Sequence, residues 1–168
     1  MTKIKRYQKV IYTSILVFCT VWCAAIIIAP LWHNETGFRG DASEYIYTFF
    51  SKSCHQIEGR SLNIAGEKMG VCSRCTSIYF SFLLGVIIYP FIRKLNNIDL
   101  PSLVFLAIGA VLVALDAGLD LFDIFKNTYI TREISGAVLG VVLPFYIIPG
   151  TIRVFYEFFI PPKVIPKK

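Results

Sequence analysis

Four long apolar stretches, separated by polar connections, dominate the pattern of hydrophobic and polar positions. Each is close to the roughly 20 residues that a helix needs to cross the hydrocarbon of a bilayer. The stretches cover residues 11–32, 75–92, 101–122 and 134–159. This pattern predicts an all-α polytopic membrane protein, a single membrane domain built as a bundle of four transmembrane helices. Small residues in the fourth stretch predict close helix contacts, and Pro144 and Pro149 predict bends.

The one long connection, residues 33–71, has a polarity pattern of its own. Asp41 and Glu44 resemble the capping signal that starts a helix. Apolar residues then recur at helical spacing, which predicts a short amphipathic helix from residue 42 to about residue 55. Such a helix either lies on the lipid headgroups or carries Cys54 and His55 to the mouth of the bundle. The residues that set this spacing are Ile46, Phe49, Phe50 and Ile57.

Composition and charge agree with a membrane location. Hydrophobic residues make up 55% of the 168 residues and charged residues 17%, against roughly 25% charged residues in soluble domains. The positive-inside rule puts both termini in the cytoplasm and the long connection on the outer side of the cell membrane. We interpret the basic residues as topology signals and expect a lipid bilayer, not a nucleic acid, as partner. These residues are Lys3, Lys5, Arg6, Lys9, Arg93, Lys94, Lys163, Lys167 and Lys168.

Reactive side chains collect at the expected outer face. Cys54 and His55 lie in the long connection, and Cys72 and Cys75 form a C-x2-C pair where the second apolar stretch begins. Two intervening residues let both thiolates reach one ion, and such a pair with a distant Cys and His is typical of tetrahedral zinc sites. We predict Zn²⁺ on Cys54, Cys72 and Cys75, with His55 as a fourth ligand or adjacent to the ligands. Arg60 and the intervening Arg74 would offset the negative charge of three thiolates.

Two carboxylates lie within the third apolar stretch. Asp116 and Asp120 are four residues apart, so they share one helix face near the outer end. A carboxylate in a membrane is costly unless it faces the bundle interior, and a functional role is then the default expectation. We predict Asp116 as a general base, with Glu58 in reserve, and Arg132 as the group that binds an oxyanion or a substrate carboxylate. Arg132 is also the expected salt-bridge partner of Asp116.

The order of these residues resembles a family of small prokaryotic four-span membrane proteins. The resemblance covers residues 52–140, and Asp120 departs from the family pattern, in which an amide is more common at this position. The resemblance implies a zinc site and the activity of a minimal integral-membrane metalloprotease. The first matching block is Cys54-His55-Gln56, Arg60-Ser61 and Val71-Cys72-Ser73-Arg74-Cys75-Thr76 with Tyr79 and Gly85; the second is Asp116, Asp120, Thr131-Arg132, Gly136 and Gly140.

Three functions remain open on the sequence. The first is a zinc-dependent membrane hydrolase, a metallopeptidase acting on a peptide or protein substrate, with water on an open zinc position whose pKa falls to about 7. The second is a membrane thiol–disulfide oxidoreductase that uses Cys72 and Cys75. The third is a non-enzymatic protein with a structural zinc site, because sulfur-rich ligand sets are commoner in structural sites and no H-E-x-x-H motif is present.

Overall fold

A computed structural model describes residues 2–159; the basic positions Lys163, Lys167 and Lys168 lie outside this range. The described chain is mainly helical, with a small two-stranded antiparallel hairpin in the long connection. A short 3₁₀ helix, Glu58–Arg60, precedes the hairpin. The helices are α1 Thr2–Trp32, α2 Phe38–Ser51, α3 Ser73–Ile92, α4 Leu103–Leu121, α5 Tyr129–Val142 and α6 Pro144–Phe159, and the strands are β1 Asn63–Ile64 and β2 Glu67–Lys68.

The predicted four-span helical architecture is confirmed. Within the described residues, four helical segments are long and apolar enough to cross a membrane, and they coincide with the four apolar stretches of the sequence. The protein is therefore a multi-pass membrane protein. The segments are Lys5–Trp32, Ser73–Ile92, Leu103–Leu121 and Tyr129–Phe158.

The fourth span is interrupted at Pro144, one of the two prolines expected to bend it, whereas Pro149 lies inside α6. Helix α5 ends at Val142 and α6 begins at Pro144, because a proline has no N–H to donate to the preceding turn. The predicted close approach of small residues is also present. A Cβ atom added at Gly136 would lie 2.7 Å from the carbonyl oxygen of Arg74 on α3. Helices α3 and α5 consequently pack almost backbone to backbone.

The amphipathic helix exists, but its predicted bounds were wrong. Helix α2 begins at Phe38 and ends at Ser51, four residues before the predicted start and end. Its N-cap is Gly37, with φ +71° and no side-chain cap, so Asp41 lies in the first turn and does not cap the helix. An acidic side chain in the first turn is stabilised by the positive end of the helix dipole. Because the helix ends early, Cys54 lies in the turn that follows it.

Two buried apolar clusters occupy opposite ends of the described bundle. The loop cluster joins α1, α2 and the segment after the hairpin, and Cys72 and Cys75 pack against it. The far cluster joins the middle of α1 to α3 and α6. The loop cluster contains Ile26, Phe50, Cys54, Met69 and Val71, and the far cluster contains Cys19, Val86, Tyr89, Ile148, Ile152 and Tyr156.

Candidate metal centre

Three cysteines from separate parts of the chain meet at the loop end of the bundle. The sulfur atoms of Cys54, Cys72 and Cys75 all lie within 4.8 Å of one another. Three sulfurs bound to one zinc at about 2.3 Å would be about 3.8 Å apart, so small side-chain adjustments suffice to hold an ion. Cys54 is buried and the other two are half-buried, and none of the three forms a disulfide. The predicted convergence of these cysteines is therefore present in the structure.

The N-terminus of α3 holds two of the sulfurs. Cys72 is the N-cap residue and Cys75 lies in the first turn of this 20-residue helix. The Thr76 N–H donates to the Cys72 carbonyl at 2.9 Å, which closes the first turn. The positive end of the helix dipole lies at these positions and would stabilise the negative charge of metal-bound sulfur. Deprotonated sulfur is the form that binds a metal.

Cys54 is fixed by the turn that follows α2. Its N–H donates to the Phe50 carbonyl at 2.9 Å, and its sulfur accepts the Cys72 backbone N–H at 3.2 Å. Hydrogen bonds from the thiol of Cys72, and then from that of Cys75, lower the pKa of Cys54 well below its ordinary value, and the backbone of Gln56 adds to this effect. These contacts therefore favour negative charge on the Cys54 sulfur.

His55 does not join the three sulfurs. Its side chain is exposed, and the group of potential metal ligands within the described residues comprises the cysteines without it. Consecutive residues in an extended turn project in different directions, so burial of Cys54 turns His55 outward. The assignment of His55 as a fourth ligand stays a prediction.

An ion-pair network lies directly beside the cysteines. Arg74, between the two cysteines of α3, donates to Asp116 Oδ2 on α4. Asp120 Oδ2 receives Arg60 Nη2 at 3.1 Å and Arg132 Nη2 at 3.4 Å. The expected pairing of Arg132 with Asp116 is wrong. Asp120 lies one helical turn nearer the start of α5 and pairs with Arg132. Arg74, in the first turn of α3, reaches the deeper carboxylate of Asp116.

Asn127 connects the members of this network and was missed from the sequence. Its Oδ1 accepts Arg132 Nε at 2.6 Å, its Nδ2 donates to the Asp116 carbonyl at 3.1 Å, and its N–H donates to Asp120 Oδ1 at 3.2 Å. Ser135 Oγ adds a contact of 3.4 Å to Asp116 Oδ2. The sequence did contain a signal for Asn127: it is a polar residue in the short connection between two spans that carry Asp116, Asp120 and Arg132.

Glu58 begins the 3₁₀ helix and is exposed. Its neighbour Gly59 accepts a hydrogen bond from the Tyr129 hydroxyl at 3.0 Å, and Arg60 reaches Asp120. Residues 58–60 are thus tied to α4 and α5 across the loop end. The role of Glu58 as a reserve base stays a prediction.

The charges of the network complement those of a loaded cysteine site. The network holds three guanidinium groups and two carboxylates, an excess of one positive charge. A divalent ion on three thiolates has one excess negative charge. In the low dielectric of a membrane-protein interior, two such neighbouring groups stabilise each other far more than they would in water. The donor set therefore fits a divalent, sulfur-preferring ion such as zinc.

Comparison with known proteins assigns the chain to a family. Residues 54–146 match the family model DUF2085, described as a predicted membrane protein. The chain belongs to this family. It is also similar to the uncharacterized protein MJ1492 of Methanocaldococcus jannaschii, with 33% identity over 162 residues, 92% of this chain and 99% of that protein. No solved structure matches. The matched segment begins at Cys54 and includes all three cysteines and the ion-pair network.

Proposed function

We propose that this protein is a zinc-dependent integral-membrane hydrolase whose ion is held by Cys54, Cys72 and Cys75. The observation that carries the proposal is the group of three sulfurs within 4.8 Å of one another, with His55 exposed outside it. Three protein ligands and one open position are the arrangement of catalytic zinc sites, whereas structural sites have four protein ligands. When bound, zinc with an open position polarises a carbonyl and activates water near neutral pH.

We assign proton transfer to Asp116. Its contacts with Arg74, Asn127 and Ser135 reach Oδ2, so Oδ1 is the oxygen that we assign to accept a proton. Arg74 joins this carboxylate to the cysteine pair through a single side chain. The carboxylate therefore belongs to the same local group as the proposed ligands, as a general base must.

We assign substrate binding to Arg132. Its Nε and Nη2 are engaged by Asn127 and Asp120, and a guanidinium has five N–H donors in a rigid plane. The remaining donors would bind an oxyanion or the carboxylate of a substrate. The resemblance described above supports a peptide or protein substrate, which makes the proposed activity that of a metallopeptidase.

A cleavage assay tests the proposal. Purified protein in detergent should cleave an unfolded protein such as casein, lose this activity to a chelator, and regain it with added zinc. The Cys72→Ser, Cys75→Ser double variant should be inactive, and the Cys19→Ser, Cys23→Ser double variant should be a matched active control. Cleavage by the double variant, or by metal-free protein, would overturn the proposal. Full zinc content without cleavage of any substrate would favour a structural site.

A thiol–disulfide oxidoreductase is the second candidate. The observation that favours it is a C-x-x-C pair at a helix N-terminus with a third thiol in contact, an arrangement that lowers thiol pKa values in redox proteins. A Cys72–Cys75 disulfide would form by exchange with a disulfide of a partner protein, which takes up the two electrons and two protons and becomes two thiols. Thiol counting under denaturing conditions distinguishes the candidates, because the zinc form has five free thiols and the oxidised form three.

We also propose that the cysteine site faces the outer side of the cell membrane. The basic residues that precede the first span and separate the second from the third support this orientation. A cysteine introduced at Thr36, which is exposed beyond α1, should react with a membrane-impermeant maleimide in intact cells, and one introduced at Thr2 should not. The reverse pattern would refute the orientation and leave the metal site unaffected.

A further inference from the structure

Gln56 occupies an unusual backbone conformation next to the proposed ligands. Its φ is +50°, one of three such values among non-glycine residues in the described chain. Left-handed backbone is disfavoured for residues with a Cβ atom and persists where surrounding contacts enforce it. Here the residue lies two positions after Cys54, at the point where the chain turns away from the sulfur cluster. The conformation implies that other contacts hold Gln56.

The side-chain amide of Gln56 supplies those contacts. Its Nε2 donates to the Tyr47 carbonyl and to the Gly70 carbonyl, each at 2.8 Å. An amide nitrogen has two hydrogens, so both are used. Tyr47 lies on α2, and Gly70 lies two residues before Cys72. The amide therefore joins the helix that precedes Cys54 to the segment that leads into Cys72.

The main chain of Gln56 adds one contact, because its carbonyl accepts Lys68 Nζ at 3.4 Å. We call these side-chain and main-chain contacts the Gln56 clip. The segments that the clip joins carry two of the sulfurs, and the Cys72 N–H donates directly to the Cys54 sulfur at 3.2 Å. The clip thus holds in place the two chain segments between which this hydrogen bond forms.

We propose that Gln56 is a positioning residue that holds Cys54 against Cys72 and thereby sets the metal affinity of the site. The inference rests on the proposed metal centre and adds a residue that is not a ligand. Groups outside the ligand set that orient metal ligands are worth about 10–100-fold in affinity when they are removed. Gln56 has a comparable place here, because its amide joins the segments that carry Cys54 and Cys72.

The test compares two substitutions of glutamine by glutamate. In Gln56→Glu the shape is kept, but carboxylate oxygens replace the donor and face two carbonyl oxygens. Gln8, which is buried at the other end of the bundle, gives the matched control Gln8→Glu. Zinc affinity is measured by chelator competition, and the geometry of the sulfur ligands by the thiolate-to-metal absorption of the cobalt-substituted protein. Gln56→Glu should bind zinc about 10–100-fold more weakly with an altered cobalt spectrum, and Gln8→Glu should match wild type.

A third variant distinguishes the effect of the side-chain amide of Gln56 on zinc affinity from the effect of its left-handed backbone. In Gln56→Gly the positive φ is readily adopted, but the side-chain amide is absent. If the clip sets affinity, this variant also binds zinc at least tenfold more weakly. Wild-type affinity and an unchanged cobalt spectrum in Gln56→Glu, or in a folded Gln56→Gly protein, would overturn the inference while leaving the metal centre intact. A wild-type protein that binds no zinc would instead overturn the metal centre and this inference with it.

Discussion

The middle of α1 and the loop end bury cysteines equally well and use them differently. Cys19 and Cys23 on α1 are 8% and 4% exposed, and Cys54 at the loop end is 5% exposed. The Cys23 thiol donates to the Tyr79 carbonyl at 3.5 Å, which is the behaviour of a small buried side chain. Cys54 instead meets Cys72 and Cys75. Burial of a thiol therefore does not identify a site, whereas the convergence of three thiols does.

The difference follows from how each end is built. The far cluster is formed by the interiors of continuous helices, where side chains at neighbouring positions follow helical spacing. The loop end is built from the turn after α2, the segment after the hairpin and several helix termini. Helix termini and turns bring unsatisfied N–H groups and residues distant in sequence together. The loop end therefore offers charged groups hydrogen-bond donors that the helix interiors of the far cluster do not.

The largest expected effect comes from the cysteine pair. In the Cys72→Ser, Cys75→Ser variant, zinc content should fall from about one ion per chain to near zero, and the loop end should lose several kcal/mol of stability, since zinc contributes about 10–16 kcal/mol in small zinc-dependent domains. Elemental analysis and thermal melts measure both quantities. The matched variant Cys19→Ser, Cys23→Ser should keep its zinc. Equal zinc loss in the two variants would remove the distinction between the two groups of cysteines.

The second expected effect concerns Asp116. Asp116→Asn should abolish cleavage while zinc remains bound, because an amide cannot accept the proton. It should also lower the free energy of unfolding by about 2 kcal/mol, less than the ~3–5 kcal/mol of a fully buried pair, because the Asp116 and Arg74 side chains are 12% and 21% exposed. Replacing both residues with apolar ones, Arg74→Met and Asp116→Leu, should restore part of that stability without activity. Cleavage by a folded, zinc-loaded Asp116→Asn protein would exclude Asp116 as the base.

The third expected effect separates the two arginines on Asp120. The Arg132 side chain is 8% exposed and that of Arg60 is 48% exposed. Arg132→Ala should cost about 3 kcal/mol, as for removal of a buried partner, and Arg60→Ala no more than about 1 kcal/mol, as for a surface pair. Chemical unfolding in detergent measures both. Equal costs would show that residues 58–60 are more firmly held than their exposure indicates.

The smallest expected effects compare one tyrosine at each end. The Tyr47 hydroxyl donates to the Lys68 carbonyl beside the site, so Tyr47→Phe should cost about 1 kcal/mol. The Tyr89 hydroxyl in the far cluster is buried and has no hydrogen-bond partner in the part of the chain that the structure describes. Tyr89→Phe should leave stability unchanged or raise it slightly. A larger loss for Tyr89→Phe than for Tyr47→Phe in thermal melts would reverse the contrast.

Much of this arrangement was predictable from the sequence. The apolar stretches gave the four spans because their length and composition fix which helices fit a bilayer. The same spans imply which ends meet, and this predicted that Cys54, Cys72 and Cys75 converge. The interruption of the fourth span at Pro144 was predictable because proline has no backbone N–H to donate to the preceding helical turn.

The pairings within the site were not predictable. Arg74 with Asp116 and Arg132 with Asp120 depend on the rotation of α3, α4 and α5 about their axes. Spacing along one helix states which residues share a face, but not which neighbouring helix that face contacts. The clip at Gln56 was missed for a related reason, since it depends on a left-handed backbone in a turn, and helical or strand periodicity carries no signal for this.

X-ray absorption at the zinc edge of the purified protein distinguishes an open zinc site from a closed one. If three sulfurs hold the ion and water fills the fourth position, the spectrum should show three sulfur neighbours at about 2.3 Å and one oxygen neighbour at about 2.0–2.2 Å, without the outer-shell scattering of an imidazole ring. In the Cys72→Ser, Cys75→Ser variant this signal should disappear. Imidazole scattering from a fourth ligand, or protein without zinc and with a Cys72–Cys75 disulfide, would rule out the open zinc site.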